Sequence, residues 1–142
     1  AIMFSNFVNI AGLPDDLANF VETLGWSPLA VLFAILGIYL ILGAVLESLS
    51  MILLTIPIFY PIVEGLGFDL IWFGVIVVVV TEISLITPPI GLNVFVIRSV
   101  LPEVPTGTIF KGIIPFFIVD VIRLALLVFV PGLVLLLPSY MP

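Results

Sequence analysis

Residues 81–95 read TEISLITPPIGLNVF, and this stretch places two adjacent prolines inside an otherwise apolar run. A proline has no backbone N–H, so Pro88 and Pro89 cannot donate helical hydrogen bonds to the carbonyls four residues before them. The residue before a proline also avoids helical backbone angles, and a glycine shortly afterwards lets the chain turn. The segment from Ile86 to Gly91 is therefore predicted to be an unwound break between two helical parts.

The composition indicates that the break lies in a lipid bilayer. Hydrophobic residues make up 63% of the 142 positions and charged residues 8%, whereas about a quarter of a soluble domain is charged. Several apolar runs approach the roughly 20 residues that a helix needs to cross about 30 Å of hydrocarbon. We therefore expect an all-α integral membrane protein.

The same composition excludes several classes of function. The net charge is −6 with only three basic residues, so no basic face is available and nucleic acid is excluded as a partner. Histidine and cysteine are absent, which removes thiolate metal sites and cysteine catalysis. An intramembrane hydrolase is the main enzyme alternative, but Lys111 falls in a loop and Asp120 has no aspartate partner in a neighbouring segment. We expect no enzyme activity.

The apolar and polar segments divide the chain into six predicted units. They are an amphipathic interfacial segment (1–27), a re-entrant helical hairpin (28–63), an external loop (64–69), a broken transmembrane helix (70–100), a cytoplasmic loop (101–107) and a terminal transmembrane helix (108–142) whose span ends at Leu137. The cytoplasmic loop, taken with its flanks from Arg98 to Lys111, holds two of the three basic residues, in agreement with the positive-inside rule. Because the chain opens without an initiator methionine, we expect a piece of a longer protein.

The hairpin prediction rests on length. Residues 28–63 would form one helix about 54 Å long, which exceeds the hydrocarbon core, while two full crossings need about 40 residues and a turn. A re-entrant hairpin with its tip at residues 47–50 resolves this mismatch. The alternative is one tilted helix that ends near Glu47, followed by an irregular interfacial stretch containing Pro57 and Pro61.

The break and the hairpin tip together predict a cation site. Backbone groups without helical partners are tolerated in a membrane only where they face protein or a cavity, and transporters bind Na⁺ and substrate at such broken helices. The candidate binding residues are Glu47, Ser48, Ser50, Ser84, Leu85, Ile86, Thr87, Pro88, Gly91 and Asn93. Ser84, Leu85 and Thr87 are the predicted Na⁺ ligands, mostly through backbone oxygens, with Na⁺ as coupling ion and no cofactor. The alternative is a proline kink that only shapes packing.

The predicted spans also contain the charged residues Glu82, Asp120 and Arg123. Asp120 and Arg123 are spaced i, i+3, so they can form a structural ion pair on one helix face; a direct role in an ion pathway is the alternative. Glu82 lies about one turn before the break. It either attracts a cation in a polar cavity or accepts hydrogen bonds from the backbone of the break, and the sequence leaves both interpretations open.

Five motifs follow one another along the chain: LGAVLE (42–47), MILLTIPIFYPIV (51–63), WFGVI (72–76), LITPPIGLN (85–93) and GTIF (107–110). Their order and spacing resemble the large membrane subunit of TRAP transporters, the tripartite ATP-independent periplasmic carriers. Two positions depart from the family pattern. Gly37 stands where members often have asparagine, and Glu47 replaces a common aspartate.

The resemblance implies the C-terminal portion of a permease, with the second inverted repeat of an elevator-type ion transporter fold. It implies Na⁺-coupled uptake of an organic acid by a multi-pass protein of a bacterial or archaeal inner membrane. The implied partners are a small membrane subunit, a periplasmic substrate-binding protein, the N-terminal repeat of the same permease and the lipid bilayer. The alternatives are a related ion-coupled carboxylate or anion carrier without a binding protein, and a non-transporting structural or channel subunit.

Overall fold

A computed structural model describes residues 2–88 and 91–140 of the chain. Within these residues it has eight α-helices and a final 3-10 turn, and no strand, so the expected all-α class is confirmed. The elements are α1 (Ile2–Ile10), α2 (Leu13–Leu24), α3 (Pro28–Gly43), α4 (Ser48–Gly65), α5 (Leu70–Ile86), α6 (Leu92–Val100), α7 (Thr106–Phe129), α8 (Gly132–Leu135) and the 3-10 turn (Pro138–Tyr140).

The three central helices α3, α4 and α5 each begin at a side chain that caps the helix. Ser27, Glu47 and Asp69 adopt extended backbone angles, and each accepts a hydrogen bond from a backbone N–H of the first helical turn. Such caps satisfy donors that have no partner inside the helix. Polar residues between the apolar runs therefore fix where each helix starts.

The chain reverses direction at residues 44–47, so α3 and α4 pack side by side in opposite directions. The hydroxyls of Tyr39 and Thr55 lie 2.8 Å apart, and the ring centroids of Tyr39 and Phe59 are 5.6 Å apart. The helices have 16 and 18 residues, or about 24 and 27 Å, and by length and composition α4 is one of two described helices able to span a membrane. Re-entry of this hairpin from one side stays a prediction.

One apolar core joins α3, α4 and α5. Its most buried members include Leu32, Tyr39, Met51, Phe73 and Ile76. Burying a side chain of this size stabilises a soluble fold by about 1.5–3 kcal/mol, but in lipid the gain comes mainly from close packing. Small residues therefore matter where helix backbones approach one another.

The predicted amphipathic segment contains two helices, α1 and α2. Gly12 has a φ of 74° and separates α1 from α2. The apolar face of α2 packs against the core through Leu17 and Val21, while Asp15 and Asp16 are exposed. The apolar side of α2 therefore packs against the core, and its acidic side faces away from it.

The last long helix, α7, ends at Phe129 and not at the predicted Leu137. Pro131 is the reason, because it lacks an N–H to continue the helix and disfavours helical angles at Val130, which has φ −125° and ψ 71°. Pro131 also leaves the Leu127 carbonyl without its helical partner. The Trp72 indole of α5 donates to that carbonyl at 2.8 Å and links the two helices.

Candidate functional site

The break predicted from the two prolines lies between α5 and α6. Thr87, directly before Pro88, has φ −85° and ψ 135°, the extended conformation that a following proline favours. Gly91 has φ 57° and ψ 84° and precedes the first residue of α6. Pro89 and Ile90 lie outside the described residues. The chain thus leaves helical geometry within one residue of the predicted position.

The two carbonyls expected to lose their partners behave differently. We expected both Ser84 and Leu85 to be released, but the Ser84 carbonyl accepts a hydrogen bond of 3.1 Å from the Thr87 N–H. The helix ends by a tighter turn that uses the last available donor, so one lone pair of this oxygen is occupied. Leu85 has prolines at both i+3 and i+4, and no donor reaches its carbonyl among residues 2–88 and 91–140.

Thr87 contributes two oxygens to the break. Its hydroxyl donates to the Ile83 carbonyl at 2.6 Å, so the remaining lone pairs can only accept a hydrogen bond or coordinate a cation. Its carbonyl is approached closely by Gly91, where an added Cβ would lie 3.3 Å from that oxygen. Glycine therefore suits residue 91 both for the left-handed backbone and for the short approach.

Ser84 connects the break with the hairpin. Its side chain is fully buried and donates to the Thr81 carbonyl. A Cβ on Gly43 would clash with the Ser84 hydroxyl and lie 3.3 Å from the Met51 methyl. The Ser84 hydroxyl therefore lies in a helix contact, whereas we expected a cation site. Met51 belongs to this contact as well and was not among the predicted residues.

The hairpin turn forms a separate polar group. The Glu47 carboxylate accepts hydrogen bonds from the N–H groups of Leu49 (3.0 Å) and Ser50 (2.9 Å) and from the Ser50 hydroxyl (3.1 Å). Glu47 thus acts as the cap of α4. Ser48 is half-buried beside it.

The remaining candidates lie around the break. Leu85 and Ile86 are half-buried, whereas Pro88 and Asn93 are exposed. No hydrogen bond among the described residues joins the hairpin turn to the break; the two meet through the packing of Gly43 on Ser84. The structure therefore brings the break residues together and leaves Glu47, Ser48 and Ser50 as a second group.

A charged group links α5 to α7 next to this site. The Arg123 guanidinium lies 3.1 Å from Asp120 on the same helix and 3.8 Å from Glu82 on α5. Among the described residues Glu82 has this ion pair and no hydrogen bond to the backbone of the break.

Comparison with known proteins agrees with the motifs. Residues 1–133 match the family model described as "Tripartite ATP-independent periplasmic transporter, DctM component". The chain belongs to the DctM family. The resemblance seen in the sequence is thereby confirmed, and with it membership of a family of membrane transport proteins.

Several relatives in this family have names that state a transported compound. The C4-dicarboxylate TRAP transporter large permease protein DctM of Pseudomonas aeruginosa is 36% identical over 99% of this chain and 33% of its own length. The sialic acid TRAP transporter large permease protein SiaM of Vibrio cholerae is 35% identical over 89% of this chain and 30% of its own. The 2,3-diketo-L-gulonate TRAP transporter large permease protein YiaN of Escherichia coli is 33% identical over 91% of this chain and 30% of its own length. The chain therefore spans about a third of these relatives, and no solved structure matches it.

Proposed function

We propose that this chain forms part of the large permease subunit of a Na⁺-coupled TRAP transporter, in which the break between α5 and α6 binds Na⁺. The relatives named above support the carrier class, since they are large permeases for a C4-dicarboxylate, a sialic acid and a keto-sugar acid. An organic acid is the substrate class that these compounds share. A periplasmic binding protein would deliver it, and a small membrane subunit and the remaining two thirds of the permease would complete the carrier in the inner membrane.

The observation that carries the ion site is the geometry at Thr87. Its hydroxyl proton is committed to the Ile83 carbonyl, so the hydroxyl oxygen presents only lone pairs to the break. The Leu85 carbonyl lies two residues earlier and cannot be used by either proline. Oxygen ligands of this kind suit a hard cation such as Na⁺.

Elevator-type movement and the inverted repeat belong to the same proposal. The hairpin of α3 and α4 packs on α5 through Gly43 and Ser84, so the hairpin turn and the break would move as one body. Glu47 and Ser50 would stabilise the start of α4, where Met51 lies next to Gly43. In this arrangement Glu47 acts on the site through the position of the helix.

The test replaces Thr87 in the complete carrier, reconstituted in proteoliposomes with its partner proteins. Thr87→Val removes the hydroxyl and nearly keeps the shape, and Thr87→Ser keeps the hydroxyl. Loss of one oxygen ligand weakens a site by roughly 1–3 kcal/mol, which is about a five- to hundredfold rise in the Na⁺ concentration for half-maximal transport. Thr87→Ser is expected to stay close to the wild type.

Thr23→Val is the matched control, because the Thr23 hydroxyl also donates to a backbone carbonyl but is exposed on α2. It removes the same group far from the break. If Thr87→Val leaves the Na⁺ dependence unchanged at normal expression, Thr87 does not bind the ion. If replacement of Pro88 and Pro89 by alanine also has no effect, the break is a packing kink.

A further inference from the structure

We propose that Arg123 is a positioning residue that clamps the last turn of α5 onto α7 through Glu82. Glu82 is the only charged residue in α5, four positions before the helix ends at Ile86. The Arg123–Glu82 ion pair spans two helices, whereas the Arg123–Asp120 pair lies within α7. Only the first of these pairs therefore constrains α5.

The geometry assigns a different role to each acid. Both contacts use the same guanidinium nitrogen, Nη2, at 3.1 Å from Asp120 and 3.8 Å from Glu82. A nitrogen with two N–H groups can direct one toward each carboxylate. The shorter contact orients Arg123 on its own helix, and the oriented guanidinium then attracts Glu82 across the helix interface.

The surroundings explain why this link matters. Just beyond Glu82 a cleft of about 270 Å³ separates Ile86 and Pro88 from the apolar side chains of α7 (Phe110, Ile113, Ile114 and Phe117). The other polar link, between the Trp72 indole and the Leu127 carbonyl, lies near the start of α5. The ion pair is thus the last polar contact with α7 before α5 reaches the break.

The exposure and charge of Glu82, Arg123 and Asp120 indicate that these side chains face protein or water and not lipid. The side chains of Glu82, Arg123 and Asp120 are 63%, 45% and 27% exposed in this chain, and together they carry one net negative charge. Charged groups within a membrane avoid lipid and face protein or water. The clamp would therefore lie at a surface covered by the rest of the carrier or by water.

The proposal predicts a difference between two variants that remove the same charge. Glu82→Gln and Asp120→Asn each neutralise one carboxylate of the group, but Glu82→Gln removes the link between α5 and α7 itself, whereas Asp120→Asn removes only the contact that orients Arg123. Hydrogen exchange at the amides of residues 83–87 in the complete carrier should become faster in Glu82→Gln than in Asp120→Asn. Glu64→Gln is the control, since Glu64 is exposed and has no salt bridge among the described residues.

A second readout connects the clamp with ion binding, and this step rests on the proposed function. Loss of a partly exposed ion pair should raise the Na⁺ concentration for half-maximal transport about two- to fivefold in Glu82→Gln. Arg123→Gln should raise the Na⁺ concentration for half-maximal transport as well. Arg123→Lys keeps the positive charge and should reverse most of that rise. The double variant Glu82→Gln with Arg123→Gln should need no more Na⁺ for half-maximal transport than Arg123→Gln alone, because both changes break the same ion pair.

The outcomes separate the clamp from the ion site. Equal exchange in Glu82→Gln and Asp120→Asn would overturn the clamp, whatever the Na⁺ dependence. Suppose that Thr87→Val shifts the Na⁺ dependence of transport. Faster exchange in Glu82→Gln together with an unchanged Na⁺ dependence in that variant would then overturn the positioning role. If Thr87→Val has no effect either, the Na⁺ site itself is wrong, and the exchange result alone decides whether Arg123 holds α5.

Discussion

Gly43→Ala should separate the hairpin from the broken helix. A Cβ at residue 43 would lie 2.7 Å from the Ser84 Cβ and 3.3 Å from the Met51 methyl, and it would clash with the Ser84 hydroxyl. Carbon atoms in good contact are about 3.5–4.0 Å apart. The two helices must therefore move apart by about 1 Å, because the nearest atoms belong to a short side chain fixed on its helix.

The expected loss of stability follows from two opposing terms. Overpacking of this kind destabilises by about 1–3 kcal/mol, and alanine recovers at most about 1 kcal/mol through its helix propensity. With the full gain from alanine, the net loss is up to about 2 kcal/mol, which changes the folded-to-unfolded ratio by up to about 30-fold. Thermal unfolding of the complete carrier in detergent measures this loss, and transport should decrease with it because the Ser84 carbonyl accepts the hydrogen bond from the Thr87 N–H.

Two further variants make this prediction specific. Gly37→Ala makes the same change in the same helix, but no atom lies within 4 Å of its Cβ, so its stability should be equal or slightly higher. Ser84→Gly in the Gly43→Ala background removes the opposing atoms and should restore much of the stability. If Gly43→Ala unfolds at the same temperature as Gly37→Ala, the close contact between α3 and α5 does not exist.

Three other changes test separate features of the fold. Trp72→Phe removes the donor to the Leu127 carbonyl and should destabilise the fold by about 1–3 kcal/mol in thermal unfolding, whereas Trp26→Phe, at an exposed tryptophan, should have little effect. Gly91→Ala should cost about 1–2 kcal/mol through its left-handed backbone, and normal stability together with normal transport would contradict the geometry of the break. Cysteines at Ser99 and Ser139, both exposed, should react with impermeant thiol reagents from opposite sides of the membrane; labelling from one side would contradict the topology.

Local chemistry made part of the structure predictable. A proline pair and a glycine act within a few residues, so the end of α5 at Ile86 and a turn at Gly91 were expected from residues 86–91 alone, and both are observed. The caps of the three central helices are equally local, but they were not predicted. The end of α7 is a local effect as well, because Pro131 stops the helix, whereas the predicted span continued to Leu137.

Contacts between distant segments were not predictable in this way. The Gly43 contact with Ser84 joins residues 41 positions apart, and no periodic pattern in α3 or α5 marks it. Glu82 illustrates the same limit, because its partner Arg123 lies on another helix. A glycine in an apolar helix is a signal for close packing, but the sequence does not name the segment that packs there.

Two carbonyls show why prolines in this chain have different consequences. Pro131 deprives Leu127 of its helical donor, and the Trp72 indole of the neighbouring helix replaces that donor at 2.8 Å. Pro88 and Pro89 deprive Leu85 in the same way, but among residues 2–88 and 91–140 no side chain or backbone group donates to it. A polar oxygen without a donor is unfavourable in lipid, and the Leu85 carbonyl is the oxygen that the proposed Na⁺ site would use. The first proline therefore ends a helix at a packed interface, whereas the second pair stands at the break where we propose the ion site.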